Sequence, residues 1–390
     1  MLASLYIHIP FCSQKCDYCD FYSVPVTPNP ATQLLMDSYI EAVAGDIADQ
    51  INLFKVEKIP TVYIGGGTPS VLGAERITRL LSSIKRILNN MGAAPVEFTM
   101  EANPESTDEA FLQACVEGGV SRISLGVQSF CEASRKAVHR TGGRKQIEDA
   151  LALVARYFPL AFSADLVTGL PFQTNAAVRQ DIKQLLSFRP AHVSLYSLIL
   201  EPQTPLGKAV KQGAVSLPSP DEADSLWIAG RDLLESSGLR QYEVSNFCLP
   251  NRTCAHNIRY WRMENWLGAG PAASGTIINN ETGTAKRFTY PPIIDSYLKM
   301  PGPRINYAIT EELDRTDLIK ETLLMGFRYC EGPDNKLFKQ RFGLEIEDCI
   351  PKTIALWSGR DFFQTALKPS KQGLLFVNSF LRDAFSELSA

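Results

Sequence analysis

The chain has 390 residues, an apolar fraction of 45% and a formal net charge of −3, so it is long enough for one large domain and a smaller one. The near-neutral charge predicts no nucleic-acid partner. The sequence shows neither a signal peptide nor an apolar run of about 18 residues, so we expect a soluble protein with no integral membrane segment. Its nine cysteines are odd in number and mostly scattered, which argues against a disulfide framework and predicts a reducing compartment, the cytoplasm.

The first predicted strand, residues 5–9, leads into a loop that carries Cys12, Cys16 and Cys19. Their C-x3-C-x2-C spacing is too tight for disulfides among them and is one ligand short of a closed zinc site. Thiolates hold iron–sulfur clusters, and three on one loop can bind three irons of a cubane and leave the fourth iron open. Zinc, with His8 or Asp17 as its fourth ligand, and a set of reduced structural thiols are the alternatives.

Strands and helices alternate regularly after this loop. The further predicted strands are residues 61–64, 96–100, 121–125, 161–167 and 192–198, and the helices are residues 33–53, 74–89, 108–117, 132–157, 176–187 and 221–236. Such alternation predicts a parallel sheet. Six units without a GxGxxG turn after the first strand favour a barrel or partial barrel over a doubly wound sheet.

The pattern becomes less regular after residue 241. A strand-like stretch at 242–247 precedes a histidine-bearing loop and the small-residue run 267–275. Residues 281–309, rich in Pro, Gly, Thr and Tyr, are predicted to connect a barrel domain at 1–280 to a small, mainly helical domain at 310–390.

Polar residues and glycines stand at the carboxyl ends of the predicted strands, where the working residues of parallel barrels gather. Residues 65–68, Gly-Gly-Gly-Thr, end the second strand and let backbone groups approach a ligand. Glu101 ends the third strand and offers two acceptor oxygens to ribose hydroxyls. Gln128 and Asp165 stand where apolar residues are expected. Taken singly, each is more often a satisfied structural group than a ligand.

The stretch YIHIPFCSQKCDYCDF resembles the cluster loop of the radical S-adenosylmethionine (SAM) enzymes, and within them the HemN/HemW branch, whose motifs are matched in order over residues 5–275. The branch contains oxygen-independent coproporphyrinogen III oxidases and haem chaperones. The resemblance implies an α/β fold with an open (β/α)6 partial TIM barrel, a 4Fe-4S cluster on the three cysteines, SAM on the open iron and cleavage of SAM by an electron from the cluster. It assigns SAM contacts to Tyr6, Tyr18, Gly66, Gly67, Thr68, Glu101, Gln128, Arg140, Asp165 and Ile199. For Arg140, a solvated basic loop at residues 138–142 is the alternative.

A second motif, HNxxYW, occupies residues 256–261. A histidine with neighbouring rings can ligate haem iron while the rings cover the porphyrin. The alternative is a hydrogen-bonded histidine in a barrel-closing loop, and Cys254 or a tyrosinate competes as the iron ligand. Since the motif is that of the haem chaperones, the resemblance predicts haem contacts, with the histidine as axial ligand, at His256, Asn257, Tyr260 and Trp261. Many sequences of the branch carry a histidine in the following small-residue run, where this chain has Ser274.

Two sequence features distinguish the oxidases of this branch from the haem chaperones. The oxidases carry a fourth cysteine two residues after the third, where this chain has Phe21, and they have a segment before the first strand that is missing here. We therefore expect a haem chaperone that passes haem to acceptor proteins and receives electrons from a donor such as a flavodoxin or ferredoxin. The alternatives are an oxygen-independent coproporphyrinogen III oxidase of porphyrin biosynthesis and a non-catalytic iron–sulfur sensor of haem or SAM. Formation of deoxyadenosine from SAM would distinguish an enzyme from the sensor.

Overall fold

The structure, a computed structural model, describes residues 1–92 and 94–389. Within these ranges the strands are β1 (Ser4–Ile9), β2 (Phe11–Cys12), β3 (Val24–Pro25), β4 (Thr61–Gly66), β5 (Glu97–Ala102), β6 (Arg122–Gln128), β7 (Phe162–Thr168), β8 (His192–Ser197), β9 (Arg240–Gln241), β10 (Asn246–Cys248), β11 (Trp266–Ala269), β12 (Ser274–Asn279), β13 (Thr284–Thr289), β14 (Ile309–Leu313), β15 (Phe363–Thr365) and β16 (Lys368–Pro369). Most residues of strands β1 and β4 to β8 are buried, as expected where both faces of a sheet are covered.

The helices follow the strands in the order that the sequence predicts. They are α1 (Pro30–Leu53), α2 (Gly73–Asn90), α3 (Glu109–Glu117), α4 (Glu132–Ala137), α5 (Arg144–Tyr157), α6 (Asn175–Leu186), α7 (Pro205–Lys211), α8 (Pro220–Ser236), α9 (Ala255–Trp261), α10 (Ile294–Lys299), α11 (Arg315–Gly326), α12 (Asn335–Phe342), α13 (Ile346–Cys349), α14 (Pro351–Ser358), α15 (Lys371–Leu375) and α16 (Val377–Leu388). Short 3-10 turns occupy Pro69–Leu72, Pro104–Ser106 and Arg304–Tyr307. In the part of the chain just described, no helix combines the length and the apolar character needed to cross a membrane.

One twelve-stranded sheet forms the frame of the molecule. Its strand order is β14-β13-β12-β11-β1-β4-β5-β6-β7-β8-β10-β9. The six predicted strands, β1 and β4 to β8, are neighbours and pair in parallel, with the helices packed outside them. The strands at the two ends of this order, β14 and β9, do not pair with each other, so the barrel is open. The predicted α/β fold with an open parallel barrel is confirmed.

Several strands outside this parallel block were not predicted. β11 adds a further parallel strand beside β1, and β12, β13 and β14 continue the sheet as an antiparallel meander. Of the predicted strand at 242–247, residues 242–245 instead connect the short strands β9 and β10, which pair antiparallel, and only residues 246–247 belong to a strand. These segments are short or mix polar and apolar residues, so their periodicity is too weak to identify them from sequence.

The buried apolar residues form two main cores. The larger one fills the space between the barrel strands and helices α1, α2, α3, α5, α6 and α8, and the second gathers the C-terminal helices around Phe327, Phe362 and Phe380. The second core also includes Ile278 and Ala285, which belong to the antiparallel part of the sheet. Residues 281–309 thus contain β13 and α10 in addition to loops, and the domain boundaries proposed from sequence stay predictions.

Candidate functional site

The carboxyl ends of the parallel strands surround a cavity of about 390 Å³, which we call the cysteine cavity. The three cysteines of the N-terminal loop line it. So do nine of the ten residues predicted to contact SAM, which come from seven separate segments of the chain: Tyr18, Gly66, Gly67, Thr68, Glu101, Gln128, Arg140, Asp165 and Ile199. The structure therefore brings these residues together, while their contacts to SAM stay predictions.

The cysteine loop is held against the end of β4. The Cys12 thiol lies 3.3 Å from the Thr68 hydroxyl, and the Cys19 N–H donates to the carbonyl of Cys16 at 3.1 Å, which closes a tight turn. Cys12 and Cys16 are buried and Cys19 is half-buried. Burial raises the pKa of the Cys12 and Cys19 thiols, so a bound cation is needed to stabilise their thiolate forms.

The donor set fits an iron–sulfur cluster. Its three thiols come from one loop and line one cavity. Thiolates are the usual ligands of such clusters, and each would bind a different iron of a cubane. Of the two alternative zinc ligands, His8 lines a different cavity, and Asp17 accepts a hydrogen bond from His139 at 2.7 Å.

Arg140 is a half-buried cation that lines the cysteine cavity and is hydrogen-bonded within the protein. Its Nη1 lies 3.4 Å from the Cys16 sulfur, and its Nη2 donates to Asn103 Oδ1 at 2.7 Å and to the Gly126 carbonyl at 2.6 Å. Asn103 in turn donates to the Thr68 hydroxyl at 2.9 Å. One hydrogen-bonded chain thus ties the cysteine loop to the ends of three strands. It also places a positive charge beside thiolates, which offsets part of their repulsion.

The three consecutive glycines are each required by a different neighbour. A Cβ on Gly65 would lie 2.7 Å from the carboxyl carbon of Glu101, and one on Gly66, whose φ is +108°, would lie 2.5 Å from the His8 ring. A Cβ on Gly67 would lie 2.5 Å from the carbonyl oxygen of Phe11. An ordinary strand-to-helix turn needs at most one glycine, so this close packing is specific to the end of β4.

Gln128 and Asp165 face the same cavity from β6 and β7. A register shift between Gly126 and Gln128 marks a bulge, and Gln128 has a positive φ of 71°. Bulges next to functional sites redirect side chains, and here the bulge directs Gln128 toward the cysteine cavity. The Ser124 hydroxyl lies 3.3 Å from both oxygens of Asp165, and burial raises the pKa of that carboxyl.

Glu101 is the most constrained carboxylate of the site. Its Oε1 accepts from the Tyr63 hydroxyl at 2.7 Å and its Oε2 accepts from the Gly66 N–H at 3.1 Å. Burial raises the pKa of Glu101 to about 7, although these two hydrogen bonds act to lower it. Each oxygen keeps a lone pair for a further donor, so the carboxylate can accept hydrogen bonds from a pair of ligand hydroxyls.

A second cavity of about 610 Å³ adjoins the first and is called the histidine cavity here. Its wall contains His256, Asn257 and Tyr260 of the HNxxYW motif. It is rich in rings, and its ring and motif residues are Tyr6, His8, Tyr22, Tyr63, His256, Asn257, Tyr260 and Trp266. Tyr6, the tenth residue predicted to contact SAM, therefore lies here, and its hydroxyl is 3.0 Å from His8 Nδ1. Glu101 and Phe21 line both cavities, so the two spaces share a wall.

His256 is buried on helix α9, and its hydrogen bonds define its tautomer. The Thr61 hydroxyl donates to Ser4 and therefore accepts from His256 Nδ1, at 2.8 Å. The lone pair is consequently on Nε2, which lies 3.2 Å from the Tyr260 hydroxyl. Burial lowers the pKa of His256 to about 3, so the ring is neutral at physiological pH. A metal could bind Nε2 only after the Tyr260 hydroxyl gives up this hydrogen bond.

Of the other residues considered as iron ligands or haem contacts, some line the histidine cavity and others do not. Cys254 is buried, its thiol donates to Glu97, and it does not line the histidine cavity. Trp261 packs in a small apolar cluster with Tyr242 and Tyr329 and does not line the histidine cavity. Ser274 does line it. The haem contacts themselves stay predictions.

Two residues of the site are absent from the sequence-based prediction. Asn103 links Thr68 to Arg140, and its position two residues after Glu101 at a strand end is a signal that was available. Tyr63 donates a hydrogen bond to Glu101. An aromatic residue within an apolar strand is expected to be a core residue, so no sequence signal distinguishes Tyr63 from the core.

Comparison with known proteins defines the class first. Residues 6–185 match the Radical SAM superfamily model, and residues 313–376 match the HemN C-terminal domain. The solved structure of the coproporphyrinogen III oxidase HemN from Escherichia coli, a radical SAM enzyme, superposes with a TM-score of 0.81 over 99% of this chain and 90% of that chain. At 21% identity, this likeness shows the shared fold alone.

Curated relatives then define the family. The protein named heme chaperone HemW of Lactococcus lactis is 36% identical over 97% of each chain. The HemW of Bacillus subtilis is 30% identical over 99% of this chain and 100% of its own length. The chain belongs to the HemW family of radical SAM proteins.

Proposed function

We propose that this protein is a haem chaperone that binds haem in the histidine cavity, beside an iron–sulfur and SAM site in the cysteine cavity. The observation that carries the proposal is the shared wall: Glu101 and Phe21 line both the cavity of the cluster cysteines and the cavity of His256. The family supports it, since the relatives named heme chaperone HemW align along nearly the whole chain.

Cys12, Cys16 and Cys19 are the proposed ligands of a 4Fe-4S cluster. When bound, such a cluster supplies an electron and an open iron position for SAM. The protein's own contribution is to bury the thiolates, to place Arg140 beside Cys16 and to offer the Glu101 carboxylate to ribose hydroxyls. Burial of these groups limits water at the site and strengthens each of their electrostatic interactions.

His256 is the proposed axial ligand of haem iron. Its ring is neutral and has its lone pair on Nε2, which is the form of imidazole that binds metals. The hydrogen bond from Nδ1 to Thr61 fixes the ring and increases the basicity of Nε2. The rings of Tyr6, Tyr63 and Trp266 give the cavity aromatic faces that suit a porphyrin.

The remaining partners follow from this function. The proposal includes haem-acceptor proteins, an electron donor such as a flavodoxin or ferredoxin, and a reducing compartment such as the cytoplasm. All nine cysteines are free in the structure, which agrees with reducing conditions.

Titration of ferric haem into the cluster-loaded protein under anaerobic conditions tests the proposal. We expect a Soret band that saturates in the parent, and a shifted band with weaker binding in His256→Ala. His139→Ala is the matched control, because it removes an exposed imidazole outside the histidine cavity. Absence of binding by the parent would refute the chaperone function, and identical titrations of the parent and His256→Ala would remove His256 as ligand.

The same preparation distinguishes the chaperone from a coproporphyrinogen III oxidase. With reductant, SAM and coproporphyrinogen III present, we expect no protoporphyrinogen formation over multiple turnovers, since Phe21 stands where the oxidases carry a fourth cysteine. Steady turnover would establish the oxidase activity instead. Deoxyadenosine formation, measured in parallel, separates an enzyme that cleaves SAM from a sensor that only binds it.

A further inference from the structure

The Glu101 carboxylate lies between the two cavities and has a hydrogen-bond partner on each side. On the cysteine side, Glu101 Oε2 accepts from the backbone N–H of Gly66 at 3.1 Å. On the histidine side, Glu101 Oε1 accepts from the hydroxyl of Tyr63 at 2.7 Å. The single polar side-chain atom of Tyr63 is therefore used to hold a residue of the neighbouring cavity.

The ring of Tyr63 belongs to the histidine cavity. Its centroid lies 5.2 Å from the His256 ring and 6.3 Å from the Tyr6 ring, with interplanar angles of 33° and 32°. A flat aromatic ligand in this cavity would contact these ring faces and restrict the motion of Tyr63. The same rotamer that presents the ring to such a ligand presents the hydroxyl to Glu101.

The Glu101 carboxyl group packs against the end of β4 on one side and is held by two hydrogen bonds, of which Tyr63 donates one. A Cβ on Gly65 would lie 2.7 to 2.8 Å from all three atoms of the Glu101 carboxyl group, so the strand end already packs tightly against it. Loss of the hydrogen bond from Tyr63 leaves a half-buried acceptor with one partner fewer, which is unfavourable in a partly sheltered site. Tyr63 thus supplies one of the two hydrogen bonds that orient Glu101.

We propose that Tyr63 is a positioning residue that couples ligand binding in the two cavities. A porphyrin in the histidine cavity holds the Tyr63 ring, and the Tyr63 hydroxyl then holds Glu101 in place to accept hydrogen bonds from the ribose of SAM in the cysteine cavity. The coupling is positive, because one position of Tyr63 serves both ligands. It is also reciprocal, so SAM strengthens haem binding by the same factor by which haem strengthens SAM binding.

This inference rests on the proposed function, and a ratio of affinities tests it separately. The cluster-loaded protein is titrated with ferric haem, without a reductant, in the absence of SAM and at saturating SAM. The coupling factor is the haem Kd without SAM divided by the haem Kd with SAM. We expect about five-fold or more in the parent and a value near one in Tyr63→Phe, which keeps the ring and removes the hydroxyl. A change in basal haem affinity cancels in this ratio.

Tyr22→Phe is the matched control. Tyr22 also lines the histidine cavity, but its hydroxyl accepts from the Ile294 N–H and makes no contact with Glu101. We expect this variant to keep the coupling factor of the parent. An unchanged factor in Tyr63→Phe, or equal loss in both variants, would overturn the role of Tyr63.

Two measurements on the parent alone keep the inference testable if the variant does not fold. The SAM Kd, measured by equilibrium dialysis with and without haem, must change by the same factor as the haem Kd. Haem binding with a coupling factor of one would overturn the coupling while the chaperone proposal stands. No haem binding at any SAM concentration would overturn the proposed function and the coupling with it.

Discussion

The two cavities share a wall but differ in how their side chains are prepared for a ligand. In the cysteine cavity, Arg140, Asn103 and Thr68 are already joined by hydrogen bonds and surround an open space. In the histidine cavity, both ring nitrogens of His256 already have partners within the protein. The first site is organised before its ligand binds, whereas the second must exchange a hydrogen bond when it binds iron. An exchange of this kind suits a site that releases its ligand again.

The largest expected effect is on the cluster. Replacing Cys12, Cys16 and Cys19 by Ala should abolish incorporation of iron and sulfide on anaerobic reconstitution, since these are the cysteines of the cavity. The control replaces Cys131, Cys330 and Cys349, three partly buried cysteines elsewhere in the chain. Normal iron content in the first variant would place the cluster at other residues.

A smaller but still large effect is expected on SAM binding. Glu101→Ala removes a half-buried acceptor for ligand hydroxyls, and a hydrogen bond to a charged group contributes about 1.5 to 3 kcal/mol. The SAM Kd, measured by equilibrium dialysis, should therefore rise roughly ten- to hundred-fold. Glu109→Ala, which changes an exposed carboxylate of α3, should leave it unchanged. An unaltered SAM affinity in Glu101→Ala would remove Glu101 from the site.

SAM affinity should also depend on pH through Glu101. Its pKa is raised to about 7 by burial, so the carboxylate is ionised above that pH and protonated below it. The groups that act on it are Tyr63, Asp165 and Arg122. We expect SAM affinity to fall about ten-fold from pH 8 to pH 6. Glu101→Gln cannot titrate and should lose this dependence; an equally steep profile in that variant would assign the dependence to another group.

The smallest expected effect concerns the tryptophan of the HNxxYW motif. Trp261 packs against Tyr242 and Tyr329, outside the histidine cavity, so Trp261→Phe should change the haem Kd by less than about two-fold and lower stability by about 1 kcal/mol. Haem titration and thermal unfolding give the two values. A strong loss of haem affinity at unchanged stability would instead place Trp261 in the haem site, as the motif alone predicts.

The cysteine cavity could be predicted from sequence because most of its residues lie at strand ends, whose positions follow from the fold. Parallel strands bring their carboxyl ends to one side of a barrel, so polar residues at those ends meet even when they are far apart in the chain. Glu101 and Asp165 follow directly from this rule. Arg140 does not lie in a strand, and its contact with Cys16, 124 residues away, depends on a loop that no local pattern describes.

The histidine cavity was harder to predict because it depends on which way each side chain faces. Residues four apart on a helix share a face, so His256 and Tyr260 meet, whereas Trp261 is directed elsewhere. Tyr63 lies in an apolar strand and could not be told from a core residue. The antiparallel strands after β11 also contribute to this cavity, through Ser274, and their short mixed sequences carry little signal.

A crystal structure of the reconstituted protein with SAM and haem, with iron located by anomalous scattering, tests the two-cavity arrangement most directly. We predict one group of iron peaks at Cys12, Cys16 and Cys19, and a separate single peak in the histidine cavity within bonding distance of His256 Nε2, with Glu101 between SAM and haem. A haem iron peak outside the histidine cavity, or haem and SAM within one cavity, would contradict it.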